Sequence, residues 1–158
     1  MYWHGGVFIM GFVKSSLLVC LVACWISPVS ANECSVEDQD YADFWENYYD
    51  PEDAYAVGLN IQNLVSAKDL SGIFSLVHGE LQHGPSKEFV SNKSFDEVFD
   101  EGWREQVLAD PAPCSPVGWR GFMLGHGLVW FNKFDHGWAI FSINGAAHDP
   151  VDKTHRDN

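Results

Sequence analysis

The chain has 158 residues, with 9 Lys+Arg against 22 Asp+Glu and a formal charge of −13 at pH 7. That balance excludes nucleic acid as a partner, because a polyanion repels a phosphate backbone. The length suits one domain built on one core, and no repeat or linker divides it.

The first element is an apolar stretch from Ser15 to Ile26, preceded by Lys14 and followed by Pro28 and the small-residue site Val29-Ser30-Ala31. This pattern predicts a signal peptide over residues 1–31, cleaved after Ala31, and hence a periplasmic or secreted protein. A permanent membrane anchor needs roughly 20 apolar residues, more than this stretch supplies. Residues 1–9 carry no Lys or Arg, whereas Met10 to Lys14 make an ordinary basic n-region, so Met10 is an alternative start. Leu21-Val22-Ala23-Cys24 is similar to a bacterial lipobox. Acylation of Cys24 is therefore the alternative processing event, and it would place the protein peripherally on a membrane. Pro28, the Val-Ser-Ala site and the bulky Trp25 argue against it.

Both routes leave Cys34 and Cys114 as the remaining pair, and export predicts that they form a disulfide. Neither lies in a C-x-x-C, and no Cys/His set has zinc spacing, so redox catalysis and a structural zinc are disfavoured.

Residues 32–52 form an acidic, aromatic leader. Glu33, Glu37, Asp38, Asp40, Asp43, Glu46, Asp50, Glu52 and Asp53 crowd this region, and no Lys or Arg follows the leader's start until Lys68. Tyr41, Phe44, Trp45 and Tyr48 fall at i, i+3, i+4, i+7, which predicts a helix. One reading is a solvated amphipathic helix whose apolar side packs on the domain. The other is a docking surface for a basic protein, with Tyr41, Asp43, Trp45, Glu46, Tyr48 and Tyr49 as partner-binding residues.

The folded domain is predicted over residues 53–146, with a disordered tail over 147–158. Asp50-Pro51-Glu52-Asp53 supplies an N-cap, a first-turn Pro and acids at the positive end of the dipole. Ala54, Val57, Ile61, Leu64 and Val65 then mark an apolar face ending near Ser66. A second short helix is expected from there, with Asp69 in a capping-box position and Leu70, Ile73, Phe74 and Val77 apolar. Residues 78–92 are broken by Gly79, Gly84 and Pro85, and Lys87 to Val90 reads as a short extended piece. Ser94 with Glu97 forms a capping box opening a single helix, whose stripe is Phe95, Val98, Phe99, Gly102, Trp103, Gln106 and Val107. Asp110-Pro111-Ala112-Pro113 ends it.

The period then changes. Val117 to Leu124, Leu128 to Phe131 and Trp138 to Ile143 are strand-like, with turns at Gly125-His126-Gly127 and Asp135-His136-Gly137. Helices first and strands afterwards predict an α+β fold with an antiparallel meander.

The run Phe95 to Phe99, the run Gly121 to Phe131 and the closing Ile140-Phe141-Ser142-Ile143-Asn144 resemble small exported bacterial domains of NTF2-like type. The resemblance implies a cone, with a curved antiparallel sheet wrapped around helices. It carries over no catalytic residue, and it implies that a homodimer through the exposed sheet face is an option.

No nucleophile elbow, phosphate-cradling loop or dinucleotide fingerprint occurs, so no cofactor is expected. His78, Glu80 and His83 are the only compact ligand-like trio, and their Gly/Pro surroundings predict a surface turn rather than a metal site. Arg120 is expected either at a sheet edge or against the acidic leader. The sequence therefore predicts a non-enzymatic, exported binding or inhibitor module with a protein partner. The alternative is a small-ligand site with acid/base chemistry in the cone, for which Asp96 and His126 are the leading candidates, with Asp100 and His136 behind them.

Overall fold

In a computed structural model of the chain, Asp50 caps its helix as its residue type and position predict. Its carboxylate accepts from the backbone N–H groups of Glu52 and Asp53 at 2.9 and 3.3 Å, with Pro51 in the first turn. The structure describes Met1, residues 33–46 and residues 48–147. The expected signal peptide and lipobox, and the tail beyond residue 147, lie outside the described residues.

Among the described residues, six helices precede the sheet in chain order. They are α1 (Val36–Phe44), α2 (Pro51–Ser66), α3 (Leu70–Ser75), α4 (Lys87–Val90), α5 (Phe95–Val98) and α6 (Glu101–Ala109). A 3-10 turn at Gly118–Arg120 leads into β1 (Phe122–Leu124), β2 (Val129–Phe134) and β3 (Gly137–Ile143). The strands pair antiparallel in the order β1-β2-β3, with Phe122 opposite Phe131 and Val129 opposite Ile143. The fold class is α+β, as expected.

α2 buries Ala54, Gly58, Ile61 and Val65 on one face. Gln62, on the same helix, donates to the carbonyls of Val107 and Asp110 at 3.0 and 2.6 Å, which fastens α2 to the end of α6. The core continues through Phe95, Phe99, Trp103 and Val107 to Phe122, Leu124, Val129, Phe131, Ile140 and Ile143 on the sheet. Phe99 and Trp103 stack at 3.9 Å, a contact worth about 1 kcal/mol beyond burial. The Trp103 indole N–H donates to the Asn144 carbonyl at 2.8 Å, joining α6 to the end of β3.

Four details differ from expectation. α3 begins at Leu70, with Asp69 as its N-cap accepting from Gly72 N–H, rather than near Ser66. Lys87 to Val90 is one helical turn, not an extended piece, because the Ser86 hydroxyl accepts from Phe89 N–H and nucleates it. The stripe from Phe95 to Val107 is divided. Phe99 is extended, and Asp100 caps a new helix by accepting from Trp103 N–H at 2.7 Å. The segment from Val117 begins not as a strand but as the 3-10 turn, so β1 starts only at Phe122.

The free edge of β3 is covered. Ile140 N–H donates to the Leu76 carbonyl, Gln82 N–H to the Phe141 carbonyl and Ile143 N–H to the His83 carbonyl, so the irregular 76–83 segment pairs with the strand. This satisfies backbone groups that would otherwise form an open edge.

Candidate functional site

The disulfide organises the N-terminal side of the domain. Cys34 and Cys114 are bonded, with their Cα atoms 5.6 Å apart, which pins the start of α1 to the segment leaving α6. α2 lets that segment approach closely at Gly58, where a Cβ would lie 2.9 Å from the Pro113 ring and 3.1 Å from the Ala112 side chain. The Cys34 N–H donates to Glu52 at 3.2 Å.

Ser35 caps α1 reciprocally with Asp38. The Asp38 carboxylate also accepts from the Ser115 hydroxyl at 2.6 Å, one residue beyond the disulfide. Burial pushes the Asp38 carboxyl upward. The hydrogen bonds from Ser115, the Ser35 side chain and the Ser35 backbone outweigh burial and hold the pKa below its ordinary 3.8.

α1 ends abruptly. Glu46 takes a left-handed conformation (φ 55°), and Tyr48 N–H donates to the Trp45 carbonyl at 3.1 Å. The expected helical stripe is therefore cut after Phe44, and the aromatic residues go to two places. Ala42 and Tyr49 are buried, with the Tyr49 ring edge-on to Phe122 at 5.1 Å. Tyr41 is half-buried. Phe44, Trp45 and Tyr48 face outward. The leader thus packs one side on the body and leaves the other bare.

Burial raises the Tyr49 hydroxyl above its ordinary 10. The neighbouring Ser115 opposes that rise, and the charges of Tyr41 and Asp38 add to it. The two hydroxyls do not reach hydrogen-bond geometry, and the Tyr49 oxygen is buried without a partner. Being 3% exposed, Tyr49 anchors the leader and does not present a face to a partner.

The bare side has a second component that the sequence reading did not assign to it. Trp119, at the tip of the 3-10 turn, is 84% exposed. Gly121 holds this turn against the sheet with φ 93°, where a Cβ would lie 2.9 Å from the Phe131 carbonyl oxygen. Val117 N–H donates to the Gly121 carbonyl at 2.7 Å. Together Trp45, Tyr48, Trp119 and Phe122, with Tyr49 and Pro116, line a cleft of about 160 Å³. Tyr48 is fixed there by its hydroxyl, which donates to the Lys133 carbonyl.

Most of the exposed large apolar side chains fall in two segments of the chain. Val36, Phe44, Trp45, Tyr48, Val117 and Trp119 all belong to the leader or to the 117–119 segment that the disulfide ties to it. Apart from Met1, Leu59 is the one other such residue among those described. Asp43 and Glu46 flank the aromatic residues and are exposed.

The residues proposed for chemistry are placed elsewhere. Asp96 is exposed and pairs with Lys68 at 2.6 Å. His126 sits in the β1–β2 turn at φ 56°, with its ring 3.1 Å from Asp110. Asp100 is the α6 cap, and His136 lies against His78 with ring centroids 3.7 Å apart. A further cleft of about 310 Å³ between α2 and β3 has Asp53 and Asn60 as its polar side chains and contains neither Asp96 nor His126. Among the described residues no three metal-ligating side chains converge, and His78, Glu80 and His83 form no such group. Arg120 ends the 3-10 turn, exposed, and makes no ion pair among the described residues. No helix among them is long and apolar enough to cross a membrane.

Compared with protein families, curated proteins and solved structures, the chain matches none.

Proposed function

We propose that the protein is an exported, non-enzymatic binding module that docks a basic protein on the face formed by the end of α1 and the 117–121 turn. The observation that carries this reading is the clustering of exposed aromatic side chains there, with Phe44 77% and Trp119 84% exposed. Contiguous exposed apolar surface in a water-soluble domain marks an interaction site, and aromatic residues are the usual anchors of one. A disulfide from Cys34, just before α1, to Cys114 supports the same reading, because it ties the leader to the segment that leads to Trp119 and fits an oxidising compartment.

The partner's charge follows from the ion pairs. All five described pairs involve Lys68, Lys93, Arg104 or His126, and none involves the nine acids between Glu33 and Asp53. Unneutralised carboxylates beside the aromatic anchors steer a cationic surface to this face. They oppose a homodimer through it, since two copies would bring like charges together. In the same reading residues 53–146 are an NTF2-like scaffold that carries the face, supported by helices followed by an antiparallel meander.

Deleting residues 35–49 would remove Ala42 and Tyr49 from the core, so point substitutions make the cleaner test. Phe44→Ala with Trp119→Ala should leave stability unchanged and abolish a 1:1, salt-sensitive complex with a basic protein. Retention of that complex by the double variant would overturn the reading.

A further inference from the structure

The cleft lined by Trp45, Tyr48, Trp119 and Phe122 has a more specific chemistry than general apolar docking, and the inference about it rests on the docking reading above. We infer that it receives one cationic side chain of the partner, arginine before lysine, held against the aromatic faces.

Three observations carry this. The lining has no Lys, Arg, Asp or Glu, so the binding surface offered to a ligand is aromatic rather than an ion-pairing group. Of the polar groups present, the Tyr49 hydroxyl is buried without a partner and two others are engaged. Tyr48 donates its hydroxyl to the Lys133 carbonyl, and the Asn132 side-chain oxygen accepts from Lys133 N–H at 2.9 Å. Finally, the leader that carries Trp45 and Tyr48 is anionic, because Asp43 and Glu46 beside them, like the other acids from Glu33 to Asp53, lack cationic partners among the described residues.

An aromatic cleft in neutral surroundings would accept an aliphatic side chain equally well. An aromatic cleft in an unbalanced anionic field favours a cation, because the ring quadrupoles and the carboxylates act in the same direction. Arginine suits it better than lysine. Its planar guanidinium is weakly hydrated and stacks on aromatic faces, whereas the ammonium gives up a tighter water shell. The cleft is small enough to take a single side chain. Tyr48, tied to the sheet, and Tyr49, buried edge-on to Phe122, fix its walls before a ligand arrives. Arg120 and Lys133 stand near its rim in sequence and oppose a cation, so binding depends on the acids outnumbering them.

The test is a titration of the oxidised protein with four blocked pentapeptides that differ only at the centre, carrying Arg, Lys, citrulline or norleucine. The indole N–H resonances of Trp45 and Trp119 are followed at low and moderate salt. The Arg peptide should give saturable shifts at both indoles, weakened by salt. Citrulline, which keeps the shape and loses the charge, should bind about fivefold or more weaker. Trp119→Ala and Trp45→Ala should each weaken Arg binding by a similar factor. Equal binding of citrulline or norleucine, absence of any Arg response, or saturation instead by a neutral oligosaccharide would each overturn the inference. The docking reading is judged separately by crosslinking from positions 44 and 119. Crosslinks without an Arg response would sink this inference alone, and loss of the crosslinks would sink the reading beneath it.

Discussion

Replacing both disulfide cysteines, Cys34→Ser with Cys114→Ser, tests whether the docking face is held together as described. The bond joins residues 80 apart in sequence. In the chain-entropy description, closing a loop of that length is worth about 4.5 kcal/mol at 25 °C, and measured losses on removing such bonds centre on about 2–4 kcal/mol. The structure says where the loss should appear. Beyond the disulfide, the leader is attached by the Cys34–Glu52 and Asp38–Ser115 hydrogen bonds, the Tyr48 hydroxyl bond to the Lys133 carbonyl and the burial of Ala42 and Tyr49. The leader should therefore open before the core does. Urea unfolding followed by circular dichroism should show a stability loss in that range, and hydrogen exchange should show amides of α1 losing protection while those of α2 keep theirs. A loss below about 1 kcal/mol, with α1 still protected, would refute the claim that the disulfide holds the face.

Three further outcomes are expected. Asp38 titrates below its ordinary value, so its contribution is present above the unfolded pKa of about 3.9 and is lost as pH falls through the folded value. Ser115→Ala should raise the Asp38 pKa and shrink that acid-side loss, as read by carboxyl NMR; an unmoved titration would contradict the Asp38–Ser115 link. Gly58→Ala should lower the melting temperature. Alanine's helix advantage of about 1 kcal/mol is opposed by a Cβ forced to 2.9 Å from Pro113, and a raised melting temperature would disprove that close approach. Asp100→Ala should cost about 1 kcal/mol by removing the cap that restarts the chain as α6, whereas an unchanged urea midpoint would show that this cap is idle.

Local signals in the sequence were legible where one residue's chemistry decides the outcome. Asp50-Pro51 opens α2, Ser94 and Glu97 pair across the first turn of α5, and Asp110 ends α6. The order of helices and strands gave the α+β class for the same reason. The break at Phe99-Asp100 was hidden because the apolar stripe keeps its spacing across it, with Phe95, Val98, Phe99, Trp103 and Val107 all buried on either side. Lys87 to Val90 misled because its composition suits a strand, while the Ser86 cap that decides the matter lies just outside the run.

At the candidate site, the sequence grouped the leader's aromatic residues without separating the buried from the exposed. Periodicity grouped Tyr48 with Phe44, and both are exposed, but it gave no sign that Glu46 takes a left-handed conformation or that Tyr49 is buried. Trp119 was missed as part of the face because pairing it with Trp45 requires the 80-residue connection through the disulfide. The signal available was a Trp between two glycines, Gly118 and Gly121, in a segment too broken to be a strand.

The most direct test of the docking face is photocrosslinking in cells of the source organism. p-Benzoylphenylalanine replaces Phe44 or Trp119, and exposed Glu88 on the separate helix α4 serves as control. The account predicts one basic protein joined from both positions 44 and 119, absent from position 88 and competed away by the unmodified oxidised protein. Adducts no different from those at position 88, or an acidic partner joined from 44 and 119, would contradict it.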